Sequence, residues 1–280
     1  MKRNVRTVPR RKTKKKKSFF SGKWIEYFFI GIAVLIILGG ANHYRSALIN
    51  YLGFTPHFKS KVDIFSEARN LKVLEKNEGK TVGIDVSEYQ GKIRWSYVDT
   101  IEEKYPLRYV FIRATVGNDR VDNEFKNNWL GAKKNKMIRG AYHYYRPNEN
   151  SLEQAELFIK TVTLKKGDLP PVLDIEKLPK DQSMERLKLG LKRWLKAVEL
   201  HYGVRPIIYT GEKYYDDFLK EEFSEYLFWI ANYNFYREEI QEDWLFWQFT
   251  EKASVPGIDT TVDVNVYNGD LQQLGYITVE

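Results

Sequence analysis

The sequence predicts an α/β fold in which eight strands close into a barrel within residues 81–280. Short apolar runs of strand length alternate along this region with segments of helical spacing, which is the pattern of βαβ units that share a parallel sheet. Polar side chains stand at the ends of most runs, where barrel enzymes gather their chemistry. The expected strands are TVGIDV (81–86), YVFIRAT (109–115), IRGAYHY (138–144), PPVLDI (170–175), RPIIYT (205–210), YLFWIA (226–231), LFWQFT (245–250) and TVDVNV (261–266).

Four segments between the first five strands have the apolar spacing of amphipathic helices. The last three strands are joined by short, irregular connections instead of full helices. The expected helices cover residues 95–104, 124–136, 152–162 and 185–202.

The positive charge of the chain is concentrated at its N-terminus. The 280 residues include 45 Lys or Arg and 37 Asp or Glu. Residues 1–23 hold 11 of the basic residues and none of the acidic ones, so the rest of the chain has a net charge of −3. Nucleic-acid binding needs a basic face on the folded domain, and we therefore expect no nucleic-acid partner. The lack of cysteine in the sequence excludes disulfides and a cysteine nucleophile.

Residues 24–44 have the composition of a transmembrane helix. Residues 27–44 are 18 residues without a formal charge, and roughly 17–25 apolar residues span a bilayer. The basic run 10–17 precedes this segment, so the positive-inside rule predicts a cytoplasmic N-terminus and a C-terminal domain on the periplasmic or extracellular side. A cleaved secretory signal remains open, because residues 39–41 resemble a cleavage site, and so does a buried core helix.

The chain is therefore expected to have four parts. Residues 1–23 form a basic cytoplasmic tail, residues 24–44 a single-pass anchor in the cell membrane, residues 45–80 a juxtamembrane stalk, and residues 81–280 the barrel. Mixed charge and a weak helical pattern in residues 45–80 indicate a partly ordered spacer. We expect a monomer that is held at the membrane by its N-terminal helix.

Asp174 and Glu176 carry the predicted chemistry. They end an apolar run at positions i and i+2, which share one face of a strand. Ionising two carboxyl groups so close together costs free energy, so the pKa of one of them should rise. Glycosidic cleavage by an acid and a partner carboxylate requires such a raised pKa. We assign Glu176 as the acid because its side chain is longer. Asp174 would stabilise the developing cation or orient the 2-acetamido group of the substrate.

Three other interpretations of this pair remain open. A D-x-E tripeptide can simply mark a strand that enters a solvated loop, although acidic residues on the neighbouring first and last strands make this less favoured. Carboxylate clusters can also hold Mg²⁺ or Ca²⁺, whereas we predict neither a metal nor a cofactor. A chitinase-like barrel would also present a D-x-E pair, but its motif needs acidic residues at the positions that Leu169 and Val172 occupy.

Aromatic and polar side chains at the strand ends predict a sugar-binding groove. Sugar rings pack on aromatic planes, and tyrosine hydroxyls offer hydrogen bonds. His143 is interpreted as a hydrogen-bonded structural residue and not as a catalyst. The predicted substrate-binding residues are Asp85, Tyr142, Tyr144, Tyr209, Tyr233, Gln248 and Asp263.

Six motifs between about residues 82 and 274 resemble, in order, those of glycoside hydrolase family 25, the lysozymes of the Chalaropsis type. The resemblance implies a TIM-like (β/α)5(β)3 barrel that hydrolyses the β-1,4 bond between N-acetylmuramic acid and N-acetylglucosamine of peptidoglycan glycan strands without a cofactor. The motifs are GIDVSEYQG (83–91), NNWLGAKKNKMIRGAYHYYRP (127–147), PVLDIE (171–176), IIYTG (207–211), FWIANYN (228–234) and DVNVYNGDL (263–271).

The resemblance also implies roles for single residues. Glu176 is similar to the proton donor of the family and Asp174 to its partner carboxylate, and Asp85 and Asp263 line the same cleft. The alternative is a catalytically inactive peptidoglycan-binding module of the same fold, which the presence of both carboxyl groups does not favour.

Three residues depart from the pattern of the family. Arg113 and Val116 stand where Lys and Glu are often found, and Arg94 stands where an Asp is frequent. These positions lie beside the expected cleft and not on the D-x-E pair, so they bear on how the substrate is held more than on the reaction.

Overall fold

The computed structural model describes residues 27–35 and 64–280. Residues 27–35 are helical, their side chains are exposed, and they belong to a different compact unit from the rest. No helix within these two described ranges combines the length and apolar character needed to cross a bilayer. The predicted tail, most of the predicted anchor and residues 45–63 of the predicted stalk lie outside the described residues.

Eight strands close the barrel, and all eight were predicted from the sequence. Each pairs with its neighbours, and β1 pairs with both β3 and β10, so these eight strands form a closed barrel. Two further strands of two residues each, β2 and β4, pair with the ends of β3. The strands are β1 (Thr81–Val86), β2 (Thr100–Ile101), β3 (Tyr105–Val116), β4 (Arg120–Val121), β5 (Ile138–Tyr144), β6 (Val172–Asp174), β7 (Ile207–Gly211), β8 (Leu227–Ala231), β9 (Phe246–Ala253) and β10 (Val262–Tyr267).

The direction of the last strand differs from the prediction of a parallel sheet. β10 runs antiparallel to both β9 and β1, while the other barrel strands are parallel to one another. The connection 254–261 is too short for the crossover of a dozen or more residues that a parallel pair needs. Asp263 therefore stands near the start of its strand, yet it pairs with Asp85 near the end of β1 and lies at the same mouth.

Three of the four predicted helices are present within two residues of their expected bounds. Asn150 caps α3, and Ser183 caps α4 by accepting a hydrogen bond from the N–H of Arg186, so each begins where its first free N–H groups find a partner. The helices are α1 (Ile64–Lys76), α2 (Phe125–Lys134), α3 (Ser151–Thr161), α4 (Met184–Tyr202), α5 (Glu212–Tyr214, continued by a π-helical turn at Tyr215–Leu219) and α6 (Leu271–Tyr276).

The predicted helix at residues 95–104 was wrong. A 3₁₀ turn, Trp95–Tyr97, and the short strand β2 occupy this segment instead. Val98 and Ile101 are buried three residues apart, which produced the helical spacing in the sequence. A tight turn with positive φ at residues 102 and 103 reverses the chain, so that β2 pairs with the start of β3. This pairing satisfies the backbone N–H and C=O groups that a helix would otherwise satisfy.

Helix α1 packs on β9 within the segment that was expected to be a stalk. Its apolar face is buried in the core shared with the barrel. The Arg69 guanidinium donates to the carbonyl oxygen of Phe249, and the Asn70 amide donates to that of Lys252 over 3.1 Å. The unit that contains the barrel therefore includes residues 64–80 as well.

Aromatic side chains fill the lower barrel interior. Phe111 stacks on Trp229 with ring centroids 4.6 Å apart and meets Phe246 edge-on at 5.2 Å. Two glycines make room for these rings: a Cβ on Gly83 would lie 2.5 Å from the Tyr109 ring, and one on Gly140 would lie 2.5 Å from Phe111. The barrel is therefore a packed core below its mouth, as is usual for eight strands.

Candidate active site

Asp174 and Glu176 enter the barrel mouth from the end of β6. The N–H of Ile175 donates to the carbonyl oxygen of Tyr209 over 3.0 Å, and the Thr210 hydroxyl donates to the carbonyl oxygen of Ile175 over 2.6 Å. These bonds keep the chain extended past the strand end. The Ile175 side chain is buried in the core between barrel and helices, so its two acidic neighbours point to the opposite side, which is the barrel interior.

Asp174 is buried, and the structure gives its carboxyl group little compensation. Its Oδ1 has no hydrogen-bond partner among the described residues. Burial raises the pKa of Asp174 well above its usual value, the charges of Glu176 and Asp85 raise it further, and Arg113 opposes the increase. An oxygen left without a partner in this position is available to a substrate group.

Glu176 reaches the rim of the mouth, where the residue is exposed. Partial loss of solvation at its carboxyl group still raises the pKa of Glu176, while the Tyr209 hydroxyl and Lys177 lower it. A carboxyl group with a raised pKa keeps its proton closer to neutral pH and can donate it to a leaving group. The two acids therefore have different surroundings: Asp174 is enclosed, and Glu176 is accessible.

Asp85 and Asp263 form a second acidic pair across the β1–β10 ladder. Asp85 Oδ2 accepts hydrogen bonds from Gln248 Nε2 at 2.7 Å and from Asn265 Nδ2 at 2.8 Å. Burial raises the pKa of Asp85 to about 6. Burial and the charge of Asp85 raise the pKa of Asp263 to about 9. Burial and proximity therefore let this pair keep a proton to a higher pH than isolated aspartates would.

Gln248 links this acidic pair to two tyrosines. Its Oε1 accepts hydrogen bonds from the hydroxyl groups of Tyr209, at 2.8 Å, and Tyr233, while its Nε2 donates to Asp85. Asn265 is held in a similar way, because its Oδ1 accepts from Trp229 Nε1 at 2.8 Å. The amides of Gln248 and Asn265 are each held by a second hydrogen bond, and both donate to Asp85. They therefore fix the position of the Asp85 carboxyl group.

The structure brings all nine predicted site residues together at the mouth. Tyr144 pairs with Asp174 and Asp174 with Tyr209 in the strand registers. Tyr142 packs edge-on against Trp229, with centroids 6.4 Å apart. In residues 27–35 and 64–280, no group of three or more His, Asp or Glu side chains is placed to hold a metal ion. The nine residues are Asp85, Tyr142, Tyr144, Asp174, Glu176, Tyr209, Tyr233, Gln248 and Asp263.

His143 faces away from the mouth, as its interpretation as a structural residue implies. Its Nδ1 lies 2.7 Å from the Thr115 hydroxyl, and its Nε2 lies 3.0 Å from Gln154 Oε1. The ring stacks on Trp194 at 5.4 Å. Burial lowers the pKa of His143 to about 3, so the ring is neutral at the pH values at which histidines usually exchange protons.

Two groups at the site were missed in the sequence. Asn265 follows Asp263 by two residues on a strand, so the alternation of the strand could have placed it on the same face. Arg113 was noted only as a departure from the family pattern. In the structure it is a buried interior residue that pairs with Asp122 at 2.8 Å and Glu88 at 3.1 Å.

The sequence resembles those of known proteins over most of the barrel. The sequence pattern described as "Glycosyl hydrolases family 25" matches residues 84–258. Protein YegX of Escherichia coli strain K12 is 40% identical over 196 residues, which cover 69% of this chain and 71% of that protein. Lysozyme M1 of Streptomyces globisporus is 30% identical over 207 residues, which cover 69% of each chain.

Solved structures share the same barrel. A family 25 glycosyl hydrolase from Bacillus anthracis has a TM-score of 0.64 at 30% identity and covers 72% of this chain and 95% of its own. The bacterial lysozyme from Streptomyces coelicolor has a TM-score of 0.64 at 27% identity and covers 72% and 98%. The matched sequence range includes Asp85, Asp174 and Glu176. The chain belongs to glycosyl hydrolase family 25 and is a glycoside hydrolase.

Proposed function

We propose that this glycoside hydrolase is a lysozyme, an N-acetylmuramidase that hydrolyses the β-1,4 bond between N-acetylmuramic acid and N-acetylglucosamine in peptidoglycan. Glu176 is the general acid and Asp174 its partner carboxylate. The observation that carries this proposal is the delivery of both acids to one mouth by a single strand end, with Asp174 enclosed and Glu176 accessible to solvent. The relatives named lysozyme, from two Streptomyces species, support the choice of substrate.

The proposed reaction uses the different surroundings of the two acids. Glu176 donates its proton to the glycosidic oxygen as the bond from that oxygen to C1 breaks. The Oδ1 atom of Asp174, without a partner among the described residues, accepts a hydrogen bond from the N–H of the 2-acetamido group and turns its carbonyl oxygen toward C1. Glu176, now a carboxylate, takes a proton from the water that attacks C1, which restores the acid and completes hydrolysis.

The remaining polar groups of the mouth orient the sugar and do not react. Asp85 is held by Gln248 and Asn265, and its neighbour Asp263 supplies a proton donor. Such a preorganised set of dipoles favours the developing charge at C1 without rearranging during the reaction.

Purified full-length protein in a mild detergent, incubated with purified peptidoglycan, tests the proposal. We expect loss of turbidity and new reducing ends from the wild-type chain, and a rate about 10²–10⁴-fold lower in Glu176→Gln, because general acid catalysis contributes that much. The matched control is Glu221→Gln, which changes an exposed glutamate in the segment that leads into β8, at the end of the barrel opposite the mouth.

Two outcomes would contradict the proposal. Binding of the wild-type chain to peptidoglycan without release of muropeptides would favour the inactive binding module. Equal activity of Glu176→Gln and Glu221→Gln would remove Glu176 from the reaction.

We further propose that residues 24–44 anchor the protein in the cell membrane with the barrel on the outer side, where it acts on the wall of its own producer. The support is the stretch of 18 residues without formal charge behind the basic run at residues 10–17. Membranes washed with alkaline carbonate should retain the protein. Its recovery from the medium with an N-terminus near residue 42 would overturn the anchor.

A further inference from the structure

Tyr89 presents an aromatic face at the rim of the mouth. It lies in the 3₁₀ turn that follows β1, and its ring covers the guanidinium of Arg113, whose Cζ atom is 4.6 Å from the ring centroid. The residue is nevertheless 70% exposed. One face of the ring is therefore held by the protein, and the other is open to solvent.

The side chain beneath this ring is fixed by buried ion pairs. Arg113 is only 7% exposed; its Nε donates to Asp122 Oδ2 at 2.8 Å and its Nη2 to Glu88 Oε1 at 3.1 Å. The same Asp122 oxygen accepts the N–H of Glu88 at 3.0 Å, and Arg120 also pairs with Glu88. Buried charges persist only when they are paired, so this network holds the guanidinium in one orientation.

The backbone at Tyr89 is equally constrained. Ser87 caps the 3₁₀ turn by accepting the N–H of Tyr89 at 3.3 Å, and the Gln90 side chain accepts the N–H of Ser87 at 2.9 Å. Gln90 also donates to the carbonyl oxygen of Thr261 at 3.3 Å, which ties the turn to the start of β10. A ring fixed in this way loses little freedom when a ligand packs on it.

This ring lies next to the reacting groups. Arg113 on β3 is the register partner of Tyr142 on β5, a residue of the mouth, and Tyr89 covers the Arg113 guanidinium. Tyr89 also follows Asp85 by only four residues. The ring therefore lies at the same end of the barrel as the mouth that contains Asp174 and Glu176.

We propose that Tyr89 is a stacking platform for a pyranose ring of the glycan strand beside the point of cleavage, and that Arg113 is the residue that positions it. The identity of the glycan rests on the proposed function. The C–H face of a sugar packs on an aromatic plane, and a ring fixed on one side by a cation is suited to this role. Arg113 acts through Tyr89 and does not touch the sugar.

Calorimetric binding of stem-free glycan chains of alternating N-acetylglucosamine and N-acetylmuramic acid tests the platform. The protein is the full chain with Glu176→Gln, so that the ligand is not cut. We expect Tyr89→Ala to weaken Kd about three- to tenfold, the range that an aromatic contact contributes, and Tyr89→Phe to keep it. The matched control is Tyr276→Ala in α6, since Tyr276 is 74% exposed and lies beyond the C-terminal end of β10, away from the mouth. Equal affinities for Tyr89→Ala and Tyr276→Ala would overturn the proposal.

Arg113→Lys tests the positioning role, because lysine keeps the charge near Asp174 but lacks the fork that fixes the ring. We expect weaker glycan binding from this variant alone, but no further loss when Tyr89 is already alanine. In the chain that retains Glu176, KM should rise by a larger factor than kcat falls. Losses of affinity that add fully in the double variant would show that Arg113 does not act through Tyr89.

Failure of the Tyr89 platform can be distinguished from failure of the proposed function. Wild-type protein that binds the glycan through Tyr89 but releases no muropeptides would refute the lysozyme and leave the platform standing. Lack of glycan binding by the Glu176→Gln chain would overturn the platform itself.

Discussion

Asp85 on β1 and Asp263 on β10 are register partners, and burial together with the charge of Asp85 raises the pKa of Asp263. A parallel last strand would have placed Asp263 at the foot of the barrel. The reversal of β10 instead adds a proton-holding carboxyl group to the mouth that contains Asp174 and Glu176. The acidity of the cleft therefore depends on the direction of one strand.

Replacing Asp263 with Asn should change how stability depends on pH. The amide can donate a hydrogen bond to Asp85 but does not ionise. In the wild type, the pKa of Asp263 is raised from 3.8 to about 9, so the stability that its proton provides is full below pH 4 and is lost as pH rises toward 9. The free energy of unfolding changes by at most about 1.4 kcal/mol per pH unit through this one group.

Urea denaturation at several pH values measures this effect. The free energy of unfolding of Asp263→Asn relative to wild type should increase from pH 5 to pH 8. A difference that stays constant over this range would mean that the two carboxyl groups share no proton.

Replacing Gln248 with Leu should destabilise the protein. The change leaves the hydroxyl groups of Tyr209 and Tyr233 without their acceptor and Asp85 without one of its donors. Tyr209 and Asp85 are buried, and each buried polar group left unpaired costs about 1–3 kcal/mol, so we expect a loss of a few kcal/mol in the free energy of unfolding, read from urea denaturation. Gln248→Glu should recover the acceptor for the tyrosines but face Asp85 with a second carboxyl group, and its stability should therefore improve at low pH. Wild-type stability of Gln248→Leu would contradict the network.

Replacing His143 with Phe should reduce stability without altering the pH profile of kcat between pH 5 and 8. The aromatic stack on Trp194 is kept, but the Thr115 hydroxyl loses its partner and Gln154 Oε1 keeps only the N–H of Arg146, at a cost of about 1–3 kcal/mol. With its pKa lowered to about 3, the neutral ring contributes stability above its unfolded pKa of 6.5 that is lost only as pH falls toward 3. A limb of the activity profile that disappears in His143→Phe would assign this residue a role in proton transfer.

Replacing Gly83 with Ala should destabilise the barrel interior. The added Cβ would lie 2.5 Å from the Tyr109 ring, whose residue is completely buried, and overpacking of this kind costs about 1–3 kcal/mol. Gly275→Ala in α6 is the matched control, since nothing lies within 4 Å of its Cβ. Thermal unfolding followed by circular dichroism should show a lower Tm only for Gly83→Ala. Equal Tm values for the two variants would contradict the close packing of the barrel interior.

Local patterns were sufficient to predict most of the barrel. Each buried strand is a short apolar run, and three helices have a full amphipathic stripe, so burial is visible in the sequence itself. The pair Asp174 and Glu176 could be placed for the same reason, because alternation along a strand fixes which side chains share a face.

The features that were missed depend on contacts between distant segments. The direction of β10 follows from a short connection and from pairing with β1, and α1 finds its place through bonds to the carbonyl groups of β9. The spacing of Val98 and Ile101 is compatible with a helix, and only the pairing of β2 with β3 decides against it. Arg113 meets Glu88 and Asp122 from two other loops, a juxtaposition that no local pattern contains.

The most direct test of the account asks whether Glu176 supplies the proton to the leaving group. Glu176→Gln is compared with wild type on native glycan and on a glycan whose scissile bond carries 2,4-dinitrophenolate, a leaving group that departs without protonation. The account predicts a loss of about 10²–10⁴-fold on the native bond and a rate of bond cleavage close to wild type on the activated one. An equal loss on both substrates, or no loss on the native bond, would contradict it.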